Sequence, residues 1–271
     1  MSEELIRSSA REIRAQLKNK AVSSAELLDA LEARIAKINP IVNALPTLCF
    51  DRARKNAATR DYQSSALQGM PIAIKDLLPV AGVRTTWGSM LYEHHIPDTS
   101  DLLVERLESS GAVVYAKSNT PEFGAGANTF NDVFGVTRNP WNTALSCAGS
   151  SGGSAVALAT GMAWLASGSD LGGSLRNPAS FCGIVGFRPS IGRIPTNQGD
   201  MAFYRLSVEG PMARTVGDVA MLLDVMAGRD PRDPLSVTRP EQRFEAMAEA
   251  RTVPKRVAFS PDLGVTPVDP E

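Results

Sequence analysis

The chain has 271 residues, 43% of them apolar and 6% aromatic, a composition that suits one large globular domain better than two small ones. Lysine and arginine (28) almost balance aspartate and glutamate (29), so no net field draws in polyanions. No basic run with interleaved aromatics creates a local one, and nucleic acid is not an expected direct partner. Cys49, Cys147 and Cys182 are odd in number and widely spaced, which fits reduced thiols and a cytoplasmic setting better than a disulfide framework. The charged start MSEELIRSSAREIR has no signal-peptide apolar core, and the longest mostly apolar stretch, 155–166, is too short to span a bilayer.

In chain order, Leu5, Ile13 and Leu17 fall near helical spacing and predict a helix over 3–18. Ser23 followed by Glu26 is a capping-box start for a second helix, which carries Leu27, Leu31, Ile35 and Ile38 on one face and is expected to stop before Pro40. A short strand over 41–48 and a helix to about residue 61 follow. In GMPIAIKDL, residues 69–77, Ile72 and Ile74 alternate with Ala73, reading as a buried strand that delivers Lys75 and Asp76 at its end. A helix over 99–110 leads through Gly111 into a second apolar strand, AVVYAKSN, and then into a loop over 119–139. This alternation predicts an α/β sheet. Small side chains over 154–161 predict a closely packed helix with Ser150 or Ser151 at its N-terminal end, where unpaired N–H groups gather. FCGIVGF (181–187) reads as a buried strand, 215–228 and 242–250 as helices, and RVAFS (256–260) as a last strand.

The stretch 146–189 holds the most distinctive pattern. Gly149, Gly152, Gly153, Gly172 and Gly173 bracket Ser150, Ser151 and Ser174, so hydroxyls and backbone N–H groups are exposed together. A serine nucleophile needs a base, and histidine, the usual one, is scarce. GSSGG matches G-x-S-x-G, but His94 and His95 both precede it, whereas the α/β-hydrolase order needs a later histidine. Both histidines read as a surface turn. The Walker lysine is missing after GSSGGSAV, and no metal-ligand spacing exists, so neither a bound metal nor a cofactor is expected. Cys182 is a rival nucleophile, but in an apolar run it reads as structural and inert. Lysine is the base that is left. For Lys75 to be half neutral near neutral pH its pKa must fall roughly 3 units from about 10.4, which burial can achieve.

GMPIAIKD, AGSSGGSAVALATG and GSDLGGSLRNPASFCGIVGFRPS together resemble the amidase signature family, and the likeness runs from about Ser23 to the end of the chain. The resemblance implies a mixed α/β/α sandwich around one large twisted sheet. It also implies that residues 1–271 are the N-terminal and catalytic-core portion of a longer family fold. Carried over by motif, Ser174 is the nucleophile, Ser150 the bridging serine behind a cis peptide from Gly149, and Lys75 the base. The oxyanion would face the N–H groups of Leu171, Gly172, Gly173 and Ser174. Ser151 either orients Lys75 or caps the following helix, and Asp170 with Arg176 reads as a structural pair.

The activity implied is cleavage of a carboxamide C–N bond, with aryl amides, esters or carbamates as further substrates. The alternative is the amidase subunit of a glutamine-dependent tRNA amidotransferase. Such subunits usually carry Asp before Glu-Phe and Gln after the Arg of the nucleophile motif; Pro121 and Asn177 stand at those places and favour the hydrolase. Phe123, Gly124, Ala125 and Gly126, in the 123–129 loop, are the expected substrate-binding residues, with 196–205 as a second lining loop. The expected partner is a small-molecule amide, without membrane association, and a homodimer is compatible with this reading.

Overall fold

The computed structural model describes residues 2–268 apart from Gln198, Arg205, Arg251 and Thr266, with Ser2 and Asp200 described for backbone only. The N-terminal stretch forms two helices where one is expected. α1 (Ser2–Arg7) ends, and Ser9 starts α2 (Ala10–Lys18) with its own capping box to Glu12. The second capping box opens α3 (Ser24–Val42) as read, but α3 continues through Pro40. Asn43 explains the continuation. It takes a left-handed conformation and donates its N–H to Asn39 O at 2.7 Å, closing the final turn after the proline has lost its own bond.

The strand expected over 41–48 is only β1 (Thr47–Leu48), and α4 (Phe50–Thr59) follows. β2 (Met70–Lys75), α5 (Leu102–Ser109) and β3 (Ala112–Ser118) match their expectations, and every residue of both strands is buried. The long loop holds a small ladder, β4 (Phe130–Asn131) with β5 (Gly135–Val136). Then come α6 (Gly152–Ala159), β6 (Leu165–Asp170), α7 (Arg176–Cys182), β7 (Val185–Gly186), β8 (Val208–Ala213), α8 (Val216–Met226) and α9 (Phe244–Glu249).

β1, β3, β2, β6, β8 and β7 lie in that order in one mixed sheet. β2 runs parallel to both β3 and β6, while β1, β8 and β7 each pair antiparallel with their neighbours. α4 and α5 pack on β3, α6 on β6 and β2, and α8 on β8. The core between them runs from Leu27 and Leu31 through Ile72, Val114 and Trp164 to Met221.

Two further expectations fail. FCGIVGF is not one strand, because Cys182 closes α7 and Gly183, at φ +71°, turns the chain before β7. RVAFS pairs with no strand among the described residues, and Val257 and Phe259 are 74% and 88% exposed.

Candidate active site

β2 ends at Lys75, and parallel pairing places that end beside the end of β6. In the register Ala73 pairs with Ala166, so Gly168 lies level with Lys75. A Cβ on Gly168 would come within 3.0 Å of Ser151 Oγ, so the glycine leaves room for the lysine and its hydroxyls. The turn into α6 closes the same space, with a cis peptide bond between Gly149 and Ser150. Gly153 brings this turn in. A Cβ there would lie 2.3 Å from Asn119 N and 2.7 Å from Ala44 O, so only glycine fits so close to other backbone.

Lys75 is fully buried. Its Nζ donates to Ser150 Oγ at 2.6 Å, Ser151 Oγ at 2.9 Å and Ser169 Oγ at 3.0 Å, and among the described residues no carboxylate is in hydrogen-bond reach. Burial pushes the amine well below the ordinary lysine range, and the charges of Glu209 and Asp170 pull it part of the way back. Its backbone N–H donates to Ser167 Oγ at 2.9 Å, fixing the strand end from which the side chain leaves.

Ser151 therefore orients Lys75. It stands at the N-cap position of α6 without making a side-chain cap bond, and its hydroxyl also accepts from Ser169 N at 3.2 Å. Ser169 is a site residue that sequence reading missed. Its signal was Ser167 and Ser169 two apart, the spacing that puts both on one side of a strand, yet LASGSD is too poor in β-branched residues to read as one.

Ser174 lies in the turn between β6 and α7, and its carbonyl accepts from Ser151 N at 3.2 Å. It is half-buried, and its hydroxyl makes no hydrogen bond among the described residues. Of the expected relay, the Lys75 to Ser150 link is closed and the Ser150 to Ser174 link is open.

The four expected oxyanion amides divide. Gly173 N donates to Asp170 Oδ1 at 2.8 Å and is already committed, whereas the Leu171, Gly172 and Ser174 N–H groups make no hydrogen bond among the described residues. Gly173 has φ +119°, a backbone conformation that favours glycine. Asp170 is the hub of this loop, since it also accepts from Leu175 N at 3.2 Å, from Arg176 at 3.0 and 3.1 Å, and from Arg188 at 3.2 Å. Burial alone would raise its carboxyl, but the Arg176 and backbone hydrogen bonds outweigh that and hold it below the usual carboxylate range. Asp170 and Arg176 thus form the structural pair expected, joined by Arg188.

Of the four expected substrate-binding residues, Gly124 lies beside Ser150; a Cβ there would lie 3.6 Å from Ser150 Oγ. Phe123 is 53% exposed, and its ring meets Tyr92 edge-on. Ala125 and Gly126 line a cavity of about 330 Å³ with Met90, Pro121 and Phe130. In the second loop Phe203 is 70% exposed, while Gln198 and Arg205 lie outside the described residues. His94 is exposed and His95 stacks on Trp87, and neither makes a hydrogen bond to Ser150, Ser151 or Ser174. Cys182 is buried, and burial pushes its thiol up to about 12, which suits an inert structural residue.

Comparison with known proteins agrees with these motifs. The family model described as Amidase matches residues 26–271. A glutamyl-tRNA(Gln) amidotransferase subunit from Anaeromyxobacter dehalogenans is 43% identical over 88% of this chain and 50% of its own length. The acylamidase of Rhodococcus erythropolis is 39% identical over 97% of this chain and 56% of its own. A bacterial aryl acylamidase structure of the amidase signature family superposes with a TM-score of 0.82 at 33% identity, covering 88% of this chain and 51% of that one. A 6-aminohexanoate cyclic dimer hydrolase structure gives 0.81 at 33% identity, covering 89% and 50%. The chain thus spans about half the length of the curated relatives it matches. On its three motifs, its mixed sheet and these likenesses, it belongs to the amidase signature family.

Proposed function

We propose that the site cleaves a carboxamide C–N bond through an acyl-enzyme on Ser174, with Ser150 as proton bridge and Lys75 as base. The observation that carries this reading is a buried amine surrounded by hydroxyls, 2.6 Å from Ser150 and without a carboxylate partner. Such an amine is neutral more readily than an exposed lysine, and so can accept a proton near neutral pH.

The relay requires the unbonded Ser174 hydroxyl to turn toward Ser150. Ser174 Oγ attacks the carbonyl carbon, its proton passes to Ser150 Oγ, and the Ser150 proton passes to Lys75 Nζ. The carbonyl oxygen becomes an oxyanion, and the unbonded amides of Leu171, Gly172 and Ser174 are the donors for it; each is worth about 100- to 1000-fold in rate. Collapse breaks the C–N bond as the proton returns through Ser150 to the leaving amine. Water then attacks the ester by the same path and frees Ser174. Asp170 holds the loop in shape from below.

Aryl amides, esters and carbamates are candidate substrates alongside simple carboxamides, and residues 1–271 act as one amidase-domain portion. Three free thiols suit a cytoplasmic setting, and no described helix is long and apolar enough to cross a membrane. The test is a screen of aliphatic amides, aryl anilides and glutamine for released amine, run beside labelling with a fluorophosphonate. Label on Ser174 that disappears in Ser174→Ala supports the assignment. Amine release that survives in Ser174→Ala overturns it.

The relative at 43% identity supports a second reading, in which the amide is glutamine and ammonia passes to a separate partner protein. Pro121 and Asn177 stand against it. Rapid ammonia release from glutamine only with partner subunits present would decide for it.

A further inference from the structure

Among the described residues, Glu209 is the one carboxylate with a buried oxygen that lacks any hydrogen-bond partner, at Oε2. It lies on β8 directly opposite Ser169 of β6, and residues paired in this way share a face, with Cβ atoms about 4.5 to 5.5 Å apart. Ser169 Oγ is one of the three hydroxyls that hold Lys75 Nζ, so Glu209 stands one side chain behind the amine.

The other charges near the pair are accounted for. Asp170 acts on Lys75 as well, but its oxygens are taken by two amides and by Arg176 and Arg188. Asp76, next to Lys75 on the chain, is held by Lys117 from β3 and by Thr86. Asp101, at the start of α5, whose charge also acts on Glu209, accepts from Leu103 N. From α6 and the turn that enters it, only Ser150 and Ser151 among the described residues are in hydrogen-bond contact with the amine. Among the described residues, Glu209 is therefore the carboxylate acting on Lys75 with no cation or N–H in hydrogen-bond contact.

We infer that Glu209 is a positioning residue for Lys75: its charge, delivered from behind Ser169, holds a proton on the amine and sets the pH at which the base becomes available. Mutual influence follows from the geometry. Burial and the Asp101 charge push the Glu209 carboxyl up to about 8 while Lys75 pulls against them, so the two groups titrate over the same range and a proton kept on Lys75 favours a charged Glu209. Without the Glu209 charge, burial acts on the amine with less opposition and Lys75 loses its proton at lower pH. This inference rests on the reading of Lys75 as base, but the charge coupling does not require turnover.

The experiment has two arms on the wild-type chain and on Glu209→Gln and Glu209→Asp. One follows the rate at which a fluorophosphonate phosphonylates Ser174, with loss of fluoride, against pH; the other follows the Lys75 amine through its titration by nitrogen-15 NMR. In Glu209→Gln both midpoints should move lower by about one pH unit, making phosphonylation about tenfold faster on the acid side. Glu209→Asp, which keeps the charge, should stay near wild type. Midpoints unmoved in Glu209→Gln, with the fold intact by circular dichroism, would overturn the inference and leave Glu209 a packing residue. Should no chain be phosphonylated, the catalytic reading fails, and the NMR arm alone decides whether Glu209 governs the amine. Should Glu209→Gln not fold, a midpoint in Glu209→Asp displaced as far as Gln was expected to move it would overturn the inference, since that variant keeps the charge.

Discussion

Two buried lysines stand on adjacent parallel strands, and they keep opposite company. In the register of β2 and β3, Lys117 pairs with Ile74 and Lys75 pairs with Ser118, so the two are one step apart. Neither has exposed surface. Lys117 donates to Asp76 Oδ1 at 2.8 Å and to Thr85 Oγ1 at 2.8 Å, an ion pair in which Asp76 returns part of what burial takes from the ammonium. Lys75 meets only hydroxyls. Equal burial thus gives two kinds of lysine, and the difference lies in the counter-charge. The paired one holds strand β3 to the turn after β2, and the unpaired one is free to give up its proton.

That contrast is open to test from several sides. Lys75→Met should lower kcat/KM by roughly 10⁴- to 10⁶-fold, as loss of a member of a catalytic unit does, with stability nearly unchanged because an apolar side chain replaces a buried amine. Ser174→Ala should match that loss. An active Lys75→Met would erase the distinction between the two lysines. Asp76→Asn should act the other way: it strands the Lys117 charge and should cost about 3 to 5 kcal/mol in urea denaturation. A stability loss below about 1 kcal/mol there would mean that Lys117 is not held as an ion pair.

A smaller effect comes from pH. Because Lys75 titrates well below the ordinary lysine value, acylation should climb from acid into mildly alkaline conditions, about tenfold per pH unit on the acid limb, and then level off as the amine becomes neutral. A profile flat from about pH 5 to 9 would remove lysine as the base. Ser169→Ala should have the least effect, about 1 kcal/mol in the acylation barrier, as expected for one hydrogen bond among three. A loss comparable to that of Ser174→Ala would move Ser169 into the proton path.

Motifs with strict backbone needs were legible in the sequence. Ser23 with Glu26 marks the start of α3, and the glycines around Ser150 and Ser174 mark the turns that carry the serines, because those positions admit few residue types. The central strand β6 and its neighbour β8 were not legible. LASGSD and VEGPMA contain glycine, serine and proline where β-branched residues would announce a strand, and their place in the middle of the sheet overrides their weak local preference. The same reason hid Ser169 and Glu209.

The sequence by itself determined which chemistry is available: serines in tight glycine turns, no histidine after them, and Lys75 at the end of an apolar strand. Tertiary structure decided which groups act together. Pairing of β2 with β6 and of β6 with β8 brings Ser169 to the amine and Glu209 behind it, and Asp170 takes the Gly173 amide out of the donor set. Contacts between residues distant in sequence depend on strand register and on which polar groups are left without water, and neither is written in local pattern.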